Sequence, residues 1–297
     1  VKKWKSEAGF SKMRTKPKKE PVEMDVRKIP MQVAKRFFSE RYYDQSSQTA
    51  YYFMLSFIPF LMFVLSLIRF LPIDHNDFLE IIEPYAPKNT YHFIHQTVDQ
   101  IINQQPAHVF SYSLLSSFWI SSIAVQSLVR SLNDAYRIRR RKSYIHGLIN
   151  DLVITLGLMV ILTSSFFVPI VEEVVHTVLD ETIADQIHWY PWWYILKWGI
   201  GTVFLFGFFL FFYQVVPSKR ILWKEALPGA VFATVGWQGS SFGFAFYVSL
   251  DGYTKIYGQL GSIIVLLIWF YLTAAVILIG GLINATIWEQ STTQGNM

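Results

Sequence analysis

Trp119, Ser122, Gln126, Arg130 and Asn133 recur at intervals of three or four residues, which places all five on one face of a helix. A guanidinium flanked by amide, hydroxyl and indole groups can hold an anion, a phosphate above all, through charge-assisted hydrogen bonds. Asp151 lies one turn into the next apolar run, at a depth that a short hairpin would match to Arg130. A structural Arg130–Asp151 ion pair therefore competes with anion binding for the same guanidinium, and snorkelling of Arg130 to the interface is a third reading. Tyr257 and Gly258, just ahead of Gly261, suggest a close backbone approach or re-entrant turn at the mouth of the last apolar run. The expected substrate-binding set is thus Trp119, Ser122, Gln126, Arg130, Asn133, Asp151, Tyr257 and Gly258.

Other chemistry finds less support. The chain has no cysteine, which excludes disulfides, thiolate zinc sites, iron–sulfur clusters and cysteine nucleophiles. Of the seven histidines only His92 and His95 have helical ligand spacing, and they lack the glutamate of a zinc-protease helix. No glycine-rich phosphate loop precedes a basic helix. The expectation is a protein with no metal site, no cofactor and no catalytic residues.

These side chains are carried by a chain that is 52% hydrophobic and only 16% charged, well below the roughly 25% charged of soluble domains. Mean hydropathy is +0.30. Six stretches approach or exceed the roughly 20 apolar residues that cross a bilayer as a helix: 50–71, 110–132, 148–171, 192–216, 226–249 and 260–287. The second is rich in serine and the fifth in glycine, which suits helices packed within a bundle. The fold class expected is an all-α integral membrane protein, a six-helix bundle spanning 50–287, with a short tail at 288–297.

Thirteen of the 26 Lys and Arg lie in residues 1–49, five in 133–147 and three in 217–225, whereas 72–109, 172–191 and 250–259 hold two between them. That alternation predicts a multi-pass protein of the bacterial cytoplasmic membrane with both termini cytoplasmic. The run Arg137, Arg139, Arg140, Arg141, Lys142 is accordingly read as an orientation signal that can also touch anionic headgroups. It lacks the interleaved aromatics of a nucleic-acid site, so no nucleic-acid partner is expected.

Residues 1–27 read as a basic, disordered tail, and 28–49 as an amphipathic cytoplasmic helix. Val33, Phe37 and Phe38 are on its apolar side and Lys35, Arg36 and Arg41 around its polar side. Such a helix could lie on the leaflet or pack beneath the bundle. The first apolar run is expected to be a permanent span rather than a cleaved leader. Residues 72–109 read as short helices forming an extracytoplasmic cap. Pro59 in the first span, with Gly229, Gly236, Gly239 and Gly243 in the fifth, suggests dense packing or a hinge, with Pro59, Gly236 and Gly239 the hinge candidates.

Four motifs in order, TAYYFMLSFIPFLMF at 49–63, SLNDAYRI at 131–138, ALPGAVFATVGW at 226–237 and YGQLGSIIVLLIWFYLTAAVILIGGLINA at 257–285, resemble the YihY family. This family is also called the virulence-factor BrkB family and was formerly mislabelled ribonuclease BN. The resemblance covers about residues 30–287. It implies a six-span inner-membrane protein of poorly defined activity, with movement of lipids or lipid-linked molecules suspected. The family's final motif often reads Gly-Ala-Glu-Leu-Asn, whereas this chain has Gly280, Gly281, Leu282, Ile283 and Asn284, so no mechanism using a carboxylate there carries over. The expected function is a transporter or flippase-like protein for an amphipathic, anionic or lipid-linked substrate. The alternative is a non-transporting scaffold for envelope assembly, and a membrane enzyme ranks third. Expected partners are membrane lipids with anionic headgroups, with envelope-assembly proteins or a second copy left open.

Overall fold

The computed structural model describes residues 26–67, 108–138, 144–165, 190–219, 221–249 and 260–295. All the regular structure within them is helical. A 3-10 turn at Val26–Lys28 leads into α1 (Ile29–Ser39), followed by α2 (Tyr42–Leu67), α3 (His108–Ala135), α4 (Tyr144–Ser165), α5 (Tyr190–Val215), α6 (Trp223–Ser249) and α7 (Leu260–Gly295). The described part of each expected apolar stretch falls on a helix of its own, α2 to α7. Three segments are long and apolar enough to cross a bilayer, Tyr42–Val64, Trp198–Val215 and Ile263–Ser291, and Gly147–Thr163 is a shorter apolar helix.

Helix α7 is the hub, packing on α1, α2, α3 and α6, while α2 packs on α3, α4 on α3 and α5 on α6. Its small and aliphatic residues explain this place. Ala274, Val276, Leu278, Leu282 and Ala285 are all buried and let several helices approach closely. Opposite them, Val125, Leu128, Val129 and Leu132 of α3 and Phe209, Phe212 and Tyr213 of α5 complete one core.

The expected helix over 28–49 is divided. The amide of Glu40 donates back to the Arg36 carbonyl at 2.9 Å, and Arg41 takes a left-handed conformation with φ of 60°. The chain turns there, so residues 42–49 continue directly into the first long apolar helix. Pro30 begins α1 where its missing N–H costs no helical bond. Pro59 lies inside α2, which runs unbroken past it.

Helix α3 ends in a tight left-handed cap. The amide of Ile138 donates to Asn133 O at 2.8 Å, that of Arg137 donates to Asp134 O at 3.0 Å, and Arg137 has φ of 54°. Glycine usually fills that position because a side chain is strained there. Here the arginine side chain reaches Glu289 of α7 at 3.1 Å, which offsets the strain and ties the end of α3 to α7. The expected cap in 72–107, the run 139–142 and the segment 172–189 lie outside the described residues.

Candidate functional site

The polar face of α3 exists, but its middle is turned outward. Trp119 is 66% exposed and Arg130 is exposed, while Gln126 is half-buried. Only the edge residues Ser122 and Asn133 are buried. The expected substrate-binding face is therefore not a single buried polar surface. The physical reason is that Ala124, Val125, Leu128, Val129 and Leu132 fill the opposite face against the core and rotate Trp119 and Arg130 away from it.

Arg130 and Asp151 differ in the same way. Asp151 is 1% exposed, and among the described residues no ion pair joins it to Arg130. The charge of Arg130 acts instead on Asp134, one turn further along α3. Partial burial raises the carboxyl pKa of Asp134 and Arg130 opposes the rise. Asn133 is structural rather than open to a ligand. Its side chain donates to Ser218 Oγ at 2.8 Å and accepts from the Ser218 amide at 2.8 Å, fastening α3 to the turn between α5 and α6. The buried hydroxyls of Thr49 and Ser127 meet at 3.1 Å and join α2 to α3. Tyr257 and Gly258 lie outside the described residues.

The same end of the bundle carries a denser set of contacts that centres on Asn284. This fully buried residue accepts from the Gly229 amide at 2.6 Å and donates to Ala226 O at 3.2 Å. Pro228 cannot donate a backbone bond, so α6 has a weak point here, and the Asn284 amide braces the residues on either side of it. Gly229 and Gly280 bring the two backbones together. A methyl group on Gly229 would strike Gly280 O and the Asn284 amide, and one on Gly280 would strike the Tyr213 hydroxyl. That hydroxyl donates to Ile277 O at 2.7 Å. Gly281 leaves room for Leu132 of α3 in the same manner. Leu282, where the resemblance would put an acid, is fully buried among apolar neighbours.

Arg36 closes this end from α1. It is 9% exposed and donates to Ala135 O at 2.8 Å, Thr286 Oγ1 at 3.2 Å and Glu40 Oε1 at 3.0 Å. Placing it on the polar side of α1 was incorrect. The inward face is Ile29, Val33 and Arg36, whereas Phe38 and Met31 are 68% and 72% exposed. Around it Tyr136 meets Trp288 edge-on at 6.1 Å, and the Lys219 ammonium lies 3.7 Å from the Trp288 ring centroid.

Away from this end, the glycine face of α6 opens. Gly229, Gly236 and Gly243 are seven apart and share one face of α6. A side chain at Gly229 collides with α7, one at Gly236 would lie 3.2 Å from Val276 Cγ1, and one at Gly243 would have nothing within 4 Å. Gly239 also faces open space, so of the hinge candidates Gly236 lies at a tight crossing and Gly239 does not. The pair is clamped at Gly229 and its glycine face opens toward Gly243, while Trp237 of α6 still meets Trp269 of α7 with ring centroids 6.1 Å apart.

Comparison with known proteins places this architecture. The family model described as "Virulence factor BrkB" matches residues 33–297. The chain belongs to the virulence factor BrkB family. Its relatives include the ribonuclease-like protein YfkH of Bacillus subtilis (strain 168), 32% identical over 248 residues that cover 83% of this chain and 90% of that protein. Two proteins named UPF0761 membrane protein, from Aliivibrio salmonicida (strain LFI1238) and Tolumonas auensis (strain DSM 9187 / NBRC 110442 / TA 4), are each 25% identical over 86% of this chain and cover 81% and 83% of their own lengths. No solved structure matches. Membership in the BrkB family agrees with the apolar helices: this is a multi-pass membrane protein.

The clamp was visible to sequence reading only as motif letters. Asn284 and Gly229 fall within the quoted motifs, but nothing along the chain announces that they bond to each other across 55 residues. For Arg36 the missing signal was its distant partner, the end of α3.

Proposed function

We propose that this BrkB-family protein is a six-span transporter or flippase-like protein, with both termini cytoplasmic, that moves an amphipathic anionic substrate along the space opened between α6 and α7. The carrying observation is the graded series on one face of α6: collision at Gly229, tight contact at Gly236, open space at Gly243. A helix face clamped at one end and open at the other is a geometry from which access can alternate by rocking about the clamp.

The lysine and arginine bias puts the clamped end on the cytoplasmic side, so this form would be closed inside and open outside. Exposed Arg130, with Trp119 and Gln126 on the same outward face of α3, supplies a cation that recruits the substrate's anionic group at the bundle surface, outside the space between α6 and α7. No covalent chemistry is assigned to the chain.

The test is transbilayer movement in proteoliposomes, read by dithionite quenching of fluorescent phosphatidylglycerol. Movement is expected in the unaltered protein, reduced about tenfold in Arg130→Gln, and abolished when cysteines at Gly243 and Ile268 are cross-linked. Absence of movement, or movement indifferent to the cross-link, would contradict the proposal.

A further inference from the structure

Beside the clamp, α1 bridges an apolar groove of about 580 Å³ between itself, α6 and α7. One wall is Pro30, Ala34 and Phe37 of α1, the other is Ile279 and Ile283 of α7, and Phe232 of α6 closes the side. We infer that this groove holds the acyl chain of an anionic membrane phospholipid whose headgroup is met by Lys35 of α1, a site distinct from the transport path between α6 and α7.

Three features select this occupant. Every lining residue is apolar, from Ile29 to Ile287, so an extended peptide in the groove would leave its backbone N–H and C=O groups without side-chain partners. A hydrocarbon chain carries no such groups. Helix α1 also has three faces rather than two: Ile29, Val33 and Arg36 turn inward, the first two also bordering the groove, Pro30, Ala34, Phe37 and Phe38 face the groove, and Lys35 is exposed on the remaining side. A helix apolar toward both protein and groove and basic on its remaining face is built for the headgroup layer. Glu40, the acidic side chain at the end of α1, is bound to Arg36 rather than to Lys35. Exposed Met31 and Phe38 extend the apolar flank toward the bilayer.

The assignment is tested on the full chain, stripped of lipid by detergent exchange and offered equal amounts of dioleoyl phosphatidylglycerol and dioleoyl phosphatidylcholine, with retained lipid read by native mass spectrometry. Phosphatidylglycerol should be retained preferentially. Ala34→Trp and Ile283→Trp fill the groove from opposite walls, and each should cut retention about tenfold. Lys35→Gln should erode the preference for phosphatidylglycerol about fivefold while chain binding persists. A benzophenone amino acid at Phe38 of the otherwise unaltered chain identifies the occupant without depending on the tryptophan variants. A lipid adduct supports the inference. An adduct to residues 1–25 or to a second copy would overturn it, as would equal retention of the two lipids.

Discussion

The two ends of the α6–α7 pair are built from the same residue type and do opposite things. At Gly229 the absence of a side chain lets the backbones of α6 and α7 touch, and Asn284 fastens them. Two heptads on, Gly243 meets nothing. Glycine therefore marks contact at one end and leaves room at the other, and only the identity of the facing residue tells which. A glycine count alone would have treated all of α6 as a packing face, or all of it as a hinge.

The largest effect is expected at the fastener. Asn284→Leu removes both buried hydrogen bonds to α6, from the Gly229 amide and to Ala226 O, and should cost about 3 kcal/mol. The readout is loss of melting temperature in detergent. Gly229→Ala comes next, at about 2–3 kcal/mol, because the atom it strikes is a backbone carbonyl that cannot swing aside. Arg36→Met should cost about 2 kcal/mol by leaving Ala135 O without its charged donor, and should expose α1 to limited proteolysis before the rest of the chain. Gly243→Ala is the smallest and has the opposite sign. It meets no neighbour, and alanine's better helix propensity should stabilise the protein by up to about 1 kcal/mol. Equal destabilisation by Gly229→Ala and Gly243→Ala would erase the distinction between the ends.

The helices were legible from sequence because hydrophobic run length is a local property. So was membrane residence, from composition. The orientation of each helix about its own axis was less accessible. On α3 the polar residues were correctly grouped on one face, yet the direction of that face depends on which side of α3 the core occupies. Leu128, Val129 and Leu132 decide it by packing on distant helices. Arg36 was misplaced for the same reason: its charge suggested an outward position, but its partners, Ala135 O and Thr286, are 99 and 250 residues away. Asn133 was singled out for its amide, and the structure spends that amide on Ser218.

The wedge between α6 and α7 is the central claim, and the absence of native cysteine makes it directly measurable by pulsed electron paramagnetic resonance. Spin labels at Lys224 and Gln290 report the clamped end, and labels at Phe246 and Ile263 report the parted one. In lipid nanodiscs the first pair should give one narrow distance distribution that is insensitive to added anionic amphiphile. The second should give a broad or two-peaked distribution that such an amphiphile shifts. Narrow distributions at both ends, unmoved by ligand, would show a closed bundle and contradict the account.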